Sequence, residues 1–202
     1  MIRLLLLVPL LALAAPAAAE IGALDPYERR FDLRIVAATA RHWRPHYNRP
    51  DAWKAQLIAE SGLNPAAVSP VGARGLAQFI PATWSSEIAR LGLPRTLSPH
   101  DAEAIDVGAA YMRRIRDLFI PYFADEEERQ RHARAGYNSG PGNTLKAVRR
   151  CDSRHWQDTT ICYPGVTGRH ADETIGYVSR IETIIDSIRT GRKPLRRPVG
   201  KR

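Results

Sequence analysis

The chain has 202 residues, 44% of them hydrophobic and 25% charged. That balance suits one ordinary globular domain with a real core, and it excludes a chain that is disordered throughout. The formal net charge of +9 is concentrated at one end, because residues 189–202 carry Arg189, Arg192, Lys193, Arg196, Arg197, Lys201 and Arg202 and no acid, which leaves a nearly neutral body.

Residues 1–19 read as a secretory signal peptide. Arg3 supplies the positive start, Leu4 to Ala14 the apolar run, and Ala17-Ala18-Ala19 the small-residue cleavage site. The run is too short to cross a bilayer, and no later segment is long and apolar enough to do so. Export to the periplasm is therefore expected, with no lipid anchor, since no cysteine ends the signal. Residues 20–49 form an N-terminal lead-in. Within it Leu33, Val36, Ala37 and Ala40 recur at helical spacing, which predicts a first helix ending near His42. Trp43 to Pro50 reads as a connector, and Asp51 is placed to cap the next helix. Trp53, Leu57 and Ile58 share one face of that helix. Glu60 stands in its last turn, and Ser61-Gly62 ends it.

The stretch Leu63 to Gln78 holds too many Gly and Pro residues for a regular element. Pro81 then opens a helix whose face is Trp84, Ile88 and Leu91. Ser98-Pro99-His100-Asp101 has the form of another helix start, with the face Ala102, Ile105, Ala109, Met112 and Ile115. Asp125 to Glu128 places acids on the positive end of a helix running to about Ala135. Gly136-Tyr137-Asn138-Ser139-Gly140 reads as a turn that faces a ligand or simply joins two helices. A short helix over Thr144–Arg150 follows. Glu173 to Ile188 is the last helix, with Ile175, Val178, Ile181, Ile185 and Ile188 inward. No segment alternates as a strand would. The fold class is mainly α.

Cys151 and Cys162 are most simply a disulfide in an exported protein, worth roughly 2–3 kcal/mol in the chain-entropy model. They do not have zinc-type spacing with His155 and His170, so no metal is expected. The Pro- and Arg-rich tail from Arg189 cannot bury a core and is expected to be disordered. Anionic envelope polymers, a membrane surface or an acidic protein partner suit it, and a solvated arm that binds nothing specific is the alternative; nucleic acid does not suit an exported protein.

Glu60 is the residue with the most chemistry to offer. A carboxyl at the negative end of a helix, beside apolar neighbours, binds its proton more tightly than usual. Glycosidases use an acid tuned in this way to a pKa of roughly 6 to protonate a leaving oxygen. The usual scheme needs a second carboxylate about 5–10 Å away. None lies between Glu60 and Glu87, and Asp172 and Glu173 are the best remote candidates.

Four blocks carry a resemblance. Glu60-Ser61 with Asn64-Pro65, Ser69-Pro70-Val71-Gly72-Ala73 with Gly75-Leu76-Ala77-Gln78, Gly136 to Gly142, and Glu173-Thr174 with Tyr177-Val178 occur in order. Over about residues 50–188 the chain resembles the soluble lytic transglycosylases of the SLT type, which share the goose-type lysozyme fold. Ala77, Gly136 and Ser139 are mild departures from that pattern. The resemblance implies a helical, lysozyme-like domain that cleaves the β-1,4 bond between N-acetylmuramic acid and N-acetylglucosamine in peptidoglycan. It implies Glu60 as sole acid and base, a 1,6-anhydromuramoyl product, and no cofactor. It implies Ser69 and Gln78 as sugar contacts, Tyr177 as a partner of Glu60 or substrate, and Tyr137 and Asn138 as the groove floor. A monomer is expected, and the basic tail is the expected contact to an envelope assembly. A water-using hydrolase of the same fold and an inactive wall-binding protein are the alternatives; the intact Glu60 argues against the second.

Overall fold

The computed structural model describes residues 26–192. The expected signal segment and most of the basic tail lie outside the described residues. The described residues form α1 (Asp32–His42), α2 (Pro50–Ser61), α3 (Pro81–Arg90), α4 (Ala104–Asp117), α5 (Glu126–Ser139), α6 (Pro141–Cys151), α7 (Trp156–Cys162), α8 (Pro164–Thr167), a 3₁₀ turn (Gly168–His170) and α9 (Ala171–Thr190). Among them the only β-pairing is a pair of isolated bridges, Val68 to Arg74 and Arg74 to Phe79. The mainly helical expectation holds.

The core is organised on α2. Its first eight residues, Pro50 to Leu57, are all buried, so it is enclosed on every side rather than laid on a surface. α9 packs along it, and α1 covers another flank. Trp53 donates its indole N–H to the Ile105 carbonyl at 3.1 Å. Gly108 makes room for that ring, because a Cβ there would stand 2.6 Å from the indole. Gln56 turns inward to the Met112 sulfur at 3.3 Å and belongs to the core. α9 runs antiparallel to α2: Tyr177 meets Glu60 at one end, and Arg189 meets Asp51 at the other.

Five local expectations need correction. The inward face of α1 is Asp32, Ile35, Ala38 and Thr39, whereas Leu33 and Ala37 are exposed. Lys54, wholly buried on α2, decides this by bonding Asp32 Oδ1 at 2.5 Å. Asp51 does not cap α2, which starts at Pro50; it sits inside the first turn and accepts bonds from Arg49 and Arg189. Ser98 to Asp101 starts no helix, because the Asp101 carboxylate accepts from the Ser98 N–H at 2.7 Å and closes a local turn. α5 continues through Ser139 rather than stopping near Ala135. Gly136 is helical there, and its missing side chain admits Ile115 and Pro141, which approach within 3.0 and 3.3 Å of where a Cβ would stand. The tail does not begin at Arg189, which is held in the last turn of α9 by Asp51.

The disulfide expectation holds: Cys151 and Cys162 are bonded, with Cα atoms 5.8 Å apart. The loop they close carries α7.

Candidate active site

The site begins where α2 stops. Gly62 takes the left-handed conformation and returns its N–H to the Ile58 carbonyl at 2.9 Å. That stop leaves Glu60 in the final turn, pointing out of the enclosed helix. Ser61, its neighbour, donates to the Leu76 carbonyl at 2.9 Å and fastens the Gly-rich loop beside it.

The loop from Leu63 to Ile80 is held by its own hydrogen bonds. Ser69 and Ala73 close its outer turn, with backbone contact at 2.9 Å and the Ser69 hydroxyl accepting from the Ala73 N–H at 3.0 Å. Arg74 and Phe79 exchange two backbone bonds at 3.0 Å. Gly75 has φ +74 and lies so close to the Pro99 carbonyl that any Cβ would stand 1.7 Å from that oxygen. The Ser98–Asp101 turn thus backs the loop, and His100 adds a 2.7 Å contact from its ring to the Pro65 carbonyl. Gln78, itself at φ 46, donates its side-chain amide to the Gly75 carbonyl at 2.9 Å.

Opposite the loop, α5 and α9 supply the other wall. Tyr137 donates its hydroxyl to the Ala77 carbonyl at 2.7 Å, pinning α5 to the loop. Its ring packs with Phe79 and Tyr111, whose centroids are 6.2 and 5.2 Å away. Thr174 donates to Asn138 Oδ1 at 2.8 Å and ties α9 to the end of α5. Tyr177, buried, donates its hydroxyl to Glu60 Oε1.

These walls enclose a cleft of about 680 Å³. Glu60, Ser69, Gln78, Tyr137, Asn138 and Tyr177 all line it. The six residues that the resemblance implies for catalysis and sugar contact are therefore in one place. Ser69, Gln78 and Tyr137 also brace the loop, so structural and cleft-lining positions coincide in the same side chains.

Burial pushes the Glu60 carboxyl up from 4.5 to about 7; the Tyr177 hydrogen bond and the Arg180 charge pull the other way and recover only part of the shift. Burial, with the Glu60 charge beside them, also keeps the Tyr137 and Tyr177 hydroxyls protonated well above 10. Near neutral pH the site offers one carboxyl poised between its two forms and two neutral phenols. Glu87, the next acid after Glu60 in the chain, is buried and bonded to Arg114 elsewhere. Glu173 does line the cleft, but its side chain is largely exposed at the rim. Asp172 is not among the lining residues. Among the described residues no cluster of His, Cys, Asp or Glu could hold a metal ion.

Sequence reasoning missed Tyr111, Val71 and Arg180. Arg180 had a readable signal: Glu173, Tyr177 and Arg180 are spaced i, i+4 and i+7, one face of one helix. Val71 had none, since its role depends on the outward tip of the Ser69–Ala73 turn.

A helical domain that buries one acid at the end of its central helix and opens it onto a long cleft belongs to the lysozyme-like class. Solved structures bear out that fold. The 70 kDa soluble lytic transglycosylase of Escherichia coli matches with a TM-score of 0.63 at 24% identity, over 81% of this chain and 24% of that one. An inactive glutamate-to-glutamine mutant of the lytic transglycosylase Slt from Pseudomonas aeruginosa matches with a TM-score of 0.62 at 20% identity, over 83% of this chain and 26% of that one.

Residues 44–158 match the model of the transglycosylase SLT domain, and the chain belongs to that family. The matched span holds Glu60, Ser69, Gln78, Tyr137 and Asn138 and ends before Tyr177. Among curated relatives, the membrane-bound lytic murein transglycosylase F of Vibrio cholerae is 28% identical over 191 residues, covering 84% of this chain and 35% of that protein. Its counterpart in Yersinia pestis is 33% identical over 135 residues, covering 62% of this chain and 26% of that protein. The chain thus spans about a third of the length of the curated relatives it matches.

Proposed function

We propose that this protein is a peptidoglycan lytic transglycosylase that cuts the β-1,4 bond between N-acetylmuramic acid and N-acetylglucosamine, with Glu60 as its sole acid and base. The observation that carries this reading is the state of Glu60: a cleft-facing carboxyl, raised by burial to about 7 and bonded by Tyr177. Family membership and the names of the relatives support the reaction class.

The steps follow from that state. Protonated Glu60 gives its proton to the glycosidic oxygen, and the bond from the muramoyl anomeric carbon to that oxygen breaks. The substrate's own acetamido oxygen bonds the anomeric carbon in its place. Glu60, now a carboxylate, accepts the proton of the muramoyl C6 hydroxyl. That oxygen then bonds the anomeric carbon and releases the acetamido group, which leaves a 1,6-anhydromuramoyl end and a protonated Glu60. A pKa near ambient pH suits a group that must give and take a proton in one cycle. The Tyr177 hydrogen bond favours the carboxylate and so serves the second half. Holding the C6 hydroxyl in place favours ring closure over attack by water.

A hydrolytic reading has one observation in its favour, the presence of Glu173 along the same cleft. Mass spectrometry of soluble products from purified peptidoglycan, with wild type and Glu60→Gln in parallel, separates the two. Anhydromuramoyl ends that vanish in the variant are the expected result. Reducing ends would overturn transglycosylation in favour of water and a second carboxylate.

The substrate lies outside the inner membrane, so the proposed location is the periplasm, after export by the N-terminal segment. The disulfide suits that oxidising compartment. Among the described residues no helix is long and apolar enough to cross a membrane. We assign the basic tail the role of contacting an envelope assembly; removing residues 193–202 without loss of partner capture would refute it.

A further inference from the structure

The wall that α9 turns to the cleft is electrically lopsided. Glu173, Tyr177 and Arg180 all line the cleft and form a stripe about 10 Å long on one helix face. Tyr177 sits in the middle, bonded to Glu60. Glu173 lies toward a neighbouring cavity of about 310 Å³, which it lines with Asn138, Asn143, Thr167 and His170. Its carboxylate is 3.9 Å from His170 Nδ1. Arg180 lies on the other side of Tyr177. Its guanidinium carbon is 5.7 Å from the Tyr177 ring centroid, and its charge acts on Glu60.

Arg180 is the one cation among the residues lining the cleft. Among the described residues no carboxylate pairs with it. Glu182, two positions further along α9, is instead taken by Arg131 at 2.7 Å. An exposed arginine laid on a tyrosine ring keeps its N–H fork free, and that fork matches a carboxylate in shape and charge. The rest of the cleft offers hydroxyls, amides and aromatic faces, which suit uncharged sugar. Glu173 at the far side repels an anion. A negatively charged group on the ligand is therefore drawn to one side of Glu60 only.

We infer that Arg180 is a substrate-binding residue that recognises a carboxylate carried by the glycan strand. The inference rests on the glycan-cleaving reading above and adds a chemical requirement to it. A strand of muramic acid and glucosamine offers such a carboxylate from two sources. Denuded strands carry a free lactyl carboxylate on each muramic acid, and peptide-bearing strands carry theirs along the stem peptide. A chitin oligosaccharide has the same backbone linkage and no carboxylate at all.

The test measures binding in a Glu60→Gln background, so that neither cleavage nor the charge of Glu60 enters. Three probes are used: chitopentaose, denuded glycan strands, and strands that keep their stem peptides. Adding Arg180→Gln is expected to weaken binding of a carboxylate-bearing strand about tenfold and to leave chitopentaose unchanged. Arg180→Lys should keep part of the preference, and raised salt should shrink it. Loss on denuded strands assigns the lactyl group; loss confined to peptide-bearing strands assigns the stem. Equal loss on chitopentaose, or no loss on any probe, overturns the inference. Absence of cleavage by wild type would count against the enzymatic reading, and the affinity ratios would still decide this one.

Discussion

The two ends of α2 treat a buried carboxylate in opposite ways. At the N-terminal end, burial alone would raise Asp51, but bonds from Arg49 at 2.8 Å and Arg189 at 2.8 Å outweigh it and hold the carboxyl below its usual value. At the C-terminal end, burial raises Glu60 to about 7, because a phenol and an exposed guanidinium are too little to offset it. The helix has 12 residues, so the two ends stand about 18 Å apart. The same element thus carries an acid locked in its charged form for stability and an acid left near balance for chemistry. What differs most is the partners: two arginines bond Asp51, whereas Glu60 has one phenol and a single arginine charge.

Changing Glu60 to Gln should break the catalytic end with the largest effect. Release of soluble fragments should fall by about a thousandfold or more, because the proposed sole acid and base is gone. Stability should move the other way. Glu60 holds its proton more tightly folded than unfolded, so its contribution is fully present below pH 4.5 and is lost as pH rises through about 7. Thermal or urea melts should show the variant equal to wild type at pH 4 and more stable by about 1–3 kcal/mol at pH 8.

Asp51→Asn should break the other end. Asp51 is lowered, so its stabilisation is present above the ordinary value of 3.8 and is lost as pH falls through the folded one. The variant should lose about 1–3 kcal/mol at pH 7, discounted because Arg189 is half exposed, and that deficit should narrow below pH 3.8. Urea melts at the two pH values measure it. Activity per folded molecule should change little, since the lesion lies at the far end of the helix.

Tyr177→Phe should sharpen the contrast with the smallest effect. Without the hydroxyl the Glu60 carboxylate loses its hydrogen bond, so its pKa should rise further. Turnover at pH 7 should drop roughly tenfold, and the basic limb of the rate profile should move to higher pH.

The catalytic end was more legible in the sequence than the scaffold around it. Glu60 could be named because few residue types do that chemistry, and Gln78 and Tyr177 because four blocks carry the resemblance. The face of α1 was misread because counting apolar residues favours Leu33 and Ala37. The true face buries Asp32 and Thr39, which is possible only because Lys54 meets the acid and Thr39 returns its hydroxyl to the Ile35 carbonyl at 3.1 Å. Partners from distant segments are invisible to a local pattern. Gly136 misled in the same way: it reads as a helix breaker, but its lack of a side chain admits Ile115 and Pro141. Ser98 and Asp101 offered a helix cap and used the same atoms to close a turn that supports Gly75.

The most direct test of the central claim is the titration of Glu60 itself. A ¹³C NMR titration, with the Glu60 carboxyl signal assigned by its loss in Glu60→Gln, reads the ionisation without assuming a mechanism. A midpoint near 7 is expected. A midpoint near the ordinary 4.5 would contradict it, because an acid already ionised at neutral pH has no proton to give.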